Sequence, residues 1–159
     1  MPQSLESLVQ AWDGLAVVTR HHAPTGSWIF IALHDATLGN PCGGTRLKHY
    51  PDPAAGLRDA MRLARGMTHK WAALKFKQGG GKAVLAVPEN LDEHGRRSLL
   101  LDYGRLVDEL GGVFATGRDL GTTDDDMRVL AEVTPFVHGV DRESDRARDP
   151  GPYTARGVA

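Results

Sequence analysis

The sequence predicts an α/β domain, a three-layer sandwich with a mixed, mostly parallel sheet and helices on both faces. Short β-rich runs alternate with stretches whose apolar residues recur at helical spacing, the order that marks this class. The chain has 159 residues, 41% of them apolar, enough for one domain with a sizeable core. Two β-rich runs near the amino terminus are joined by turn chemistry, which adds a hairpin.

In chain order, Ser4 to Trp12 read as a short amphipathic helix. Leu15 to Thr19 and Trp28 to Leu33 are the hairpin strands, with Pro24-Thr25-Gly26 between them. His21 and His22 are adjacent on an extended segment and point to opposite faces, so they cannot chelate one metal together; both read as surface histidines, and no metal site is expected. Asp52-Pro53 starts a helix running to about Leu74: the carboxylate caps free N–H groups and proline suits the first helical position. Leu57, Met61, Ala64, Thr68 and Trp71 form its apolar stripe, while Arg58, Arg62, Arg65 and His69 share another face. Lys70 sits at the edge of the apolar sector. Ala83 to Val87, closed by Pro88, reads as a buried strand. A helix opening at Asp92 or the acids beside it carries Leu99, Leu100, Tyr103, Leu106, Val107 and Leu110 and stops at Gly111-Gly112. Val113 to Thr116 is a strand, Thr122 or Thr123 caps a helix through Glu132, and Phe136 to His138 is the last strand. Residues 141–152 are polar and proline-bearing, as a connection between domains is.

The net charge of −1 gives no general reason to expect nucleic acid. Its sign is uneven, however. Residues 44–82 carry nine Lys/Arg against two aspartates, and from Glu89 onward fifteen acids face nine bases. Either the two segments attract one another or the basic one holds an anion site. No apolar run is long enough for a membrane span and no secretory signal is evident, so a cytoplasmic protein with no membrane partner is expected. The single cysteine, Cys42, agrees with a reducing compartment.

Three consecutive glycines before Lys82 suggest a phosphate cradle, but a phosphate loop needs Gly where Phe76 stands and Ser or Thr where Ala83 stands. No Gly-x-Gly-x-x-Gly follows any strand either. The glycines still mean close backbone approach, which puts Lys82 in a cleft whose desolvation lowers an amine's pKa and turns it into a general base. A second glycine pair, Gly43-Gly44, and Asp119, placed directly after a strand where ligands of open α/β sheets sit, strengthen the case for a site.

Gly43-Gly44-Thr45-Arg46, Leu63 to Lys70, Gly79-Gly80-Gly81-Lys82-Ala83 and Asp119-Leu120-Gly121-Thr122, in that order and spacing, resemble the amino-terminal domain of the glutamate/leucine/phenylalanine/valine dehydrogenase family, nearest its leucine/phenylalanine/valine branch. The likeness runs from about Trp28 to Val158 and includes Asp149 to Ala155, similar to the segment where the family's chain crosses into its nucleotide domain. It implies residues 1–140 as a substrate-binding, catalytic-lysine domain and 141–159 as a connection toward an NAD-binding Rossmann domain that this sequence does not contain.

The resemblance implies that Lys70 pairs with the carboxylate of an L-amino acid, helped by close backbone at Gly43 and Gly44. Lys82 activates the water that attacks the imine formed after hydride leaves for NAD, and Asp119 exchanges protons with the amine. Thr154 and, more weakly, Arg46 fall near the nicotinamide. Gly117 and Cys42 stand where members carry larger residues, and the room they leave favours L-phenylalanine over leucine or valine. Arg118, Lys75, Lys77 and Gln78 also depart from the family pattern and alter the charge around the site.

The family oxidatively deaminates an L-amino acid to a 2-oxo acid and ammonia. Without a nucleotide domain this chain alone is expected to be inactive and to hold no cofactor tightly. The alternative is a non-catalytic amino-acid-binding or oligomerisation module. Family likeness also implies a homo-oligomer, with the hairpin at 15–33 as a pairing edge. One geometric tension remains in the sequence. A crossover that made strands 83–87 and 113–116 parallel would put Lys82 and Asp119 at opposite ends, about 13–17 Å apart, so the lysine strand is expected to be short or antiparallel to its neighbour.

Overall fold

A computed structural model describes residues 5–140. Its elements are α1 (Leu5–Gln10), β1 (Ala16–His22), β2 (Ser27–Asp35), β3 (Pro41–Lys48), α2 (Pro53–Ala73), β4 (Gly79–Ala86), α3 (Glu93–Glu109), β5 (Ala115–Arg118) and α4 (Asp124–Ala131). The helix starts are those that the caps predict. Asp52 accepts from the Ala55 N–H, Asp92 from the Gly95 N–H, and Thr123 forms a reciprocal capping box with Asp126.

The five strands form one sheet in the order β1-β2-β4-β3-β5. β1 with β2 and β2 with β4 are antiparallel; β3 with β4 and β3 with β5 are parallel. The sheet is mixed as expected, but half its pairings are antiparallel, so "mostly parallel" is corrected. The difference comes from the hairpin, whose inner strand β2 pairs with β4 as well as with β1.

Four further differences follow from packing that only the assembled sheet supplies. Residues 41–48 form a central strand, although Gly43 and Gly44 lower its local β-propensity. β4 begins at Gly79, four residues before the predicted start, because the glycines themselves pair with β2 and β3. Phe136 to His138 shrink to a single bridge between Val137 and Thr116 at the outer edge of β5. His22, expected at the surface, is buried, its Nδ1 2.8 Å from Thr25 Oγ1 and its Nε2 3.3 Å from Ser98 Oγ.

Alternation along the strands builds two cores. Phe30, Ala32, Val84 and Ala86 face α1 and α2, where Leu8, Leu57, Ala60, Met61 and Ala64 cover them. Ile29, Ile31, Ala83, Leu85 and Val87 face Leu99, Leu100, Tyr103, Val107, Met127 and Leu130 of α3 and α4. Thr68 and Trp71 of the predicted α2 stripe are half-buried, while Arg58, Arg62, Arg65 and His69 are exposed. Among the described residues no helix is long and apolar enough to cross a membrane.

Candidate active site

The glycine run serves packing. A Cβ on Gly79 would lie 2.1 Å from the Asp35 carbonyl oxygen, on Gly80 1.8 Å from Thr68 Oγ1 of α2, and on Gly81 2.8 Å from the Phe114 ring. Gly43 is as tight, its Cβ position 1.8 Å from the Gly81 carbonyl oxygen. Space that a phosphate cradle would leave open is therefore filled by protein, and the glycine run does not fit the phosphates of a dinucleotide.

Lys82 is the fourth of eight residues in β4 and lies on the face that α2 covers, between Gly80 and Val84. The register Cys42↔Gly80 and Thr45↔Ala83 puts Gly44 level with Lys82, and Gly44 in turn faces Gly117 on β5. At the β3 position level with Lys82 there is thus no side chain. A Cβ on Gly44 would stand 2.8 Å from both the Arg118 carbonyl oxygen and Asp119 Cβ. Beyond that gap Lys82 Nζ meets Asp119 Oδ2 at 3.0 Å. The two residues share one site although β4 and β5 run parallel and β4 is not short. The earlier start of β4 moves Lys82 to mid-strand, and β3 between the two strands supplies the crossing point.

Arg46 Nε donates to the same Asp119 Oδ2 at 3.1 Å, and its Nη1 to Asp59 Oδ2 on α2 at 3.0 Å. Burial lowers the Lys82 amine below its ordinary range; the Asp119 carboxylate opposes this, while the Arg46 and Lys70 charges add to it. Burial works to raise Asp119, yet the Lys82 and Arg46 cations outweigh it and hold the carboxyl below its usual value. The Asp119 turn is pinned from three sides. Thr122 Oγ1 accepts from the Asp119 N–H and lies 2.9 Å from the Thr45 carbonyl oxygen, the Leu47 N–H donates to Leu120, and Arg96 Nη2 donates to the Gly121 carbonyl.

Lys70 is exposed on α2, its Nζ 5.6 Å from the centre of the Trp71 ring. Trp71 Nε1 donates to the Cys42 carbonyl at 2.9 Å, tying this end of α2 to β3. Cys42 is buried, and burial pushes its thiol up to about 11. A Cβ at Gly117 would meet only His138, at 3.6 Å or more, so this position has room.

Thus Lys82, Asp119, Gly44, Gly117, Gly43, Cys42 and Arg46 gather on one face of the β4-β3-β5 region, with Lys70 on the helix covering it. Thr154 lies outside the described residues. The sequence does not single out Asp59 or Tyr50, and it offers Thr122 only as a helix cap and as the last residue of the Asp119 motif; the Asp59–Arg62 spacing shows a local pair, but nothing in the order of residues shows that Arg46 reaches the same carboxylate. A cavity of about 330 Å³ lined by Pro24, Pro88, Asp92, His94 and Ser98 contains none of these residues.

The family model described as the Glu/Leu/Phe/Val dehydrogenase dimerisation domain matches residues 24–135. The chain belongs to this family. It is 46% identical over 129 residues to L-tryptophan dehydrogenase of Nostoc punctiforme, covering 80% of this chain and 35% of that one. It is 39% identical over 150 residues to leucine dehydrogenase of Bacillus subtilis, covering 94% and 41%. Phenylalanine dehydrogenase of Lysinibacillus sphaericus is 39% identical over 134 residues, covering 84% and 35%. The crystal structure of the Nostoc L-tryptophan dehydrogenase superposes with a TM-score of 0.74 at 41% identity, covering 84% of this chain and 39% of that one. The chain therefore spans well under half the length of these relatives.

Proposed function

We propose that this chain is the substrate-binding part of an L-amino-acid dehydrogenase acting on apolar amino acids, with NAD as the oxidant in the complete enzyme. The observation that carries the reading is the buried Lys82 amine held 3.0 Å from Asp119 beneath the helix that bears Lys70. Lys70, charged and exposed, takes the substrate carboxylate against the close backbone of Gly43 and Gly44. Lys82, its proton loosened by burial, activates water, and Asp119, kept ionised by two cations, exchanges protons with the amine.

The choice of side chain stays coarse. Relatives named for tryptophan and leucine are as similar as the one named for phenylalanine, so the preference for L-phenylalanine has no support. Room at Gly117 suits a bulky apolar side chain without selecting one.

Calorimetric titration of the 159-residue chain with L-tryptophan, L-leucine, L-phenylalanine and L-glutamate tests this reading. Apolar amino acids are expected to bind, glutamate not to, and Lys70→Met to abolish binding. Equal binding by Lys70→Met would overturn it. Addition of NAD⁺ is expected to yield no NADH from these residues alone.

The family's description as a dimerisation domain supports assembly of identical chains, and β1, at the sheet edge, is the strand proposed to pair across a two-fold axis.

A further inference from the structure

Four alternating charges cross the site from α2 to β4: Asp59, Arg46, Asp119 and Lys82. Asp59 is more than passively present. Its side chain is only 15% exposed, yet its carboxylate accepts from three donors: Tyr50 OH at 2.7 Å, Arg46 Nη1 at 3.0 Å and Arg62 Nη2 at 2.7 Å. Those partners hold it ionised against the cost of burial. Asp59 therefore gives Arg46 a fixed second anchor, and the guanidinium reaches Asp119 through the Nε end of its fork. Both Arg46 and Lys82 converge on the one oxygen Oδ2 of Asp119.

We propose that Asp59 is a positioning residue of this site, acting through Arg46 to hold Asp119 against Lys82 and to divide the aspartate's charge between the two cations. The inference rests on the reading of Lys82 as the base. An Asp119 paired with Lys82 alone would keep the proton on the amine; an Asp119 also engaged by Arg46 holds it less tightly. Arg46 also repels the ammonium form directly. Charged and titratable groups on this face include Asp119 beyond β5, Arg46, Cys42 and Lys48 on β3, Tyr50 after it, Asp59 and Lys70 on α2, and His34 on β2.

The sign of one measurement separates this role from simple electrostatics. Removing a negative charge from the neighbourhood lowers an amine's titration midpoint. Removing the anchor of Arg46 frees Asp119 for Lys82 and raises it. The Lys82 ¹³Cε resonance of the ¹³C-lysine-labelled chain, assigned by its loss in Lys82→Met, is followed against pH in the wild type, Asp59→Ala, Arg46→Gln and the double variant. The midpoint is expected to rise in Asp59→Ala and in Arg46→Gln, with Asp59→Ala giving no further rise in the Arg46→Gln background. An unchanged or lowered midpoint in Asp59→Ala, or additive rises, would overturn the proposal. Asp59→Ser, too short to reach Arg46, is expected to raise the midpoint as Asp59→Ala does, and it decides the matter if Asp59→Ala does not fold. Calorimetry on the same samples keeps the two readings apart. Lys70-dependent amino-acid binding with an unmoved Lys82 midpoint removes the Asp59 role alone, whereas a raised midpoint without amino-acid binding supports the Asp59 role and removes the proposed function.

Discussion

Lys82 and Asp119 lie 3.0 Å apart although they belong to parallel segments separated by a whole strand. Two strand spacings are about 9.6 Å, more than the lysine stem alone spans, and the gap is closed from both sides, with Asp119 Cβ packed 2.8 Å from where a Gly44 Cβ would stand. Buried cation and anion meet because a third residue has no side chain.

Gly44→Ala is accordingly expected to break that meeting. Its Cβ would press on backbone and on Asp119 at 2.8 Å, where no flexible tip can yield. A loss of about 1–3 kcal/mol in urea unfolding is expected, together with loss of amino-acid binding. A change below about 0.5 kcal/mol would show that the turn moves aside freely.

Two glycines give opposite outcomes with the same substitution. Gly80→Ala drives a methyl into Thr68 and the α2 backbone, 1.8–2.6 Å away, and is expected to cost several kcal/mol, roughly 3 or more, or to prevent folding. Gly66→Ala, exposed in α2 with nothing within 4 Å of the new methyl, is expected to raise stability by about 0.5–1 kcal/mol. Thermal melts of the pair would refute the assignment if both changed in one direction.

Tyr103 is fully buried on the far face of β3, its hydroxyl 2.7 Å from Thr45 Oγ1, which lies 2.6 Å from Thr116 Oγ1. Burial pushes the phenol up to about 12, so it stays protonated and supplies a donor. Tyr103→Phe leaves the threonine pair short of a partner and is expected to cost about 1–2 kcal/mol. Denaturant midpoints at constant m-value measure it.

The pH dependence has a definite sign. Asp59, Asp119 and Asp126 each titrate below 3.8 in the folded chain, where burial is outweighed by bonds and charges from Arg46, Lys82 and Arg96 among others. Around and below 3.8 the unfolded chain binds more protons, so stability present at neutral pH is lost as pH falls through the folded values. Lys82, depressed from 10.5, acts in its own window: between its folded value and 10.5 the unfolded chain again binds more protons, and stability rises with pH. Urea midpoints are expected to fall from about pH 5 to about pH 2.5, with a shallower fall in Asp119→Asn. An identical acid limb in that variant would deny Asp119 its part.

Much of the candidate site is legible in the sequence. Gly43, Gly44, Lys70, Lys82 and Asp119 were picked out from glycine placement, a strand end and the resemblance, and the structure brings them together. What escaped was longer in range. The charge asymmetry left two options open, attraction between segments or an anion site. At Asp119 the basic segment does reach the acidic one, through Arg46 and Lys82, whereas Arg96–Asp126 and Arg97–Glu132 neutralise charge within the acidic segment itself. Asp59 was unreadable because its partners Tyr50 and Arg46 reach it from β3 and the segment that follows, through packing that no helical spacing encodes.

The sequence by itself determined the helices, since Asp52, Asp92 and Thr123 cap them by bonds spanning three residues. It also determined the two apolar faces of the sheet, through alternation along β2 and β4. Only the tertiary structure decided that 41–48 is a strand, that β3 lies between β4 and β5, and that Lys82 reaches Asp119 across Gly44. The reason is range: a cap or an alternation is satisfied within a few residues, whereas strand order depends on which distant segments bury each other's backbone, and a glycine's missing side chain acquires meaning only from what passes over it.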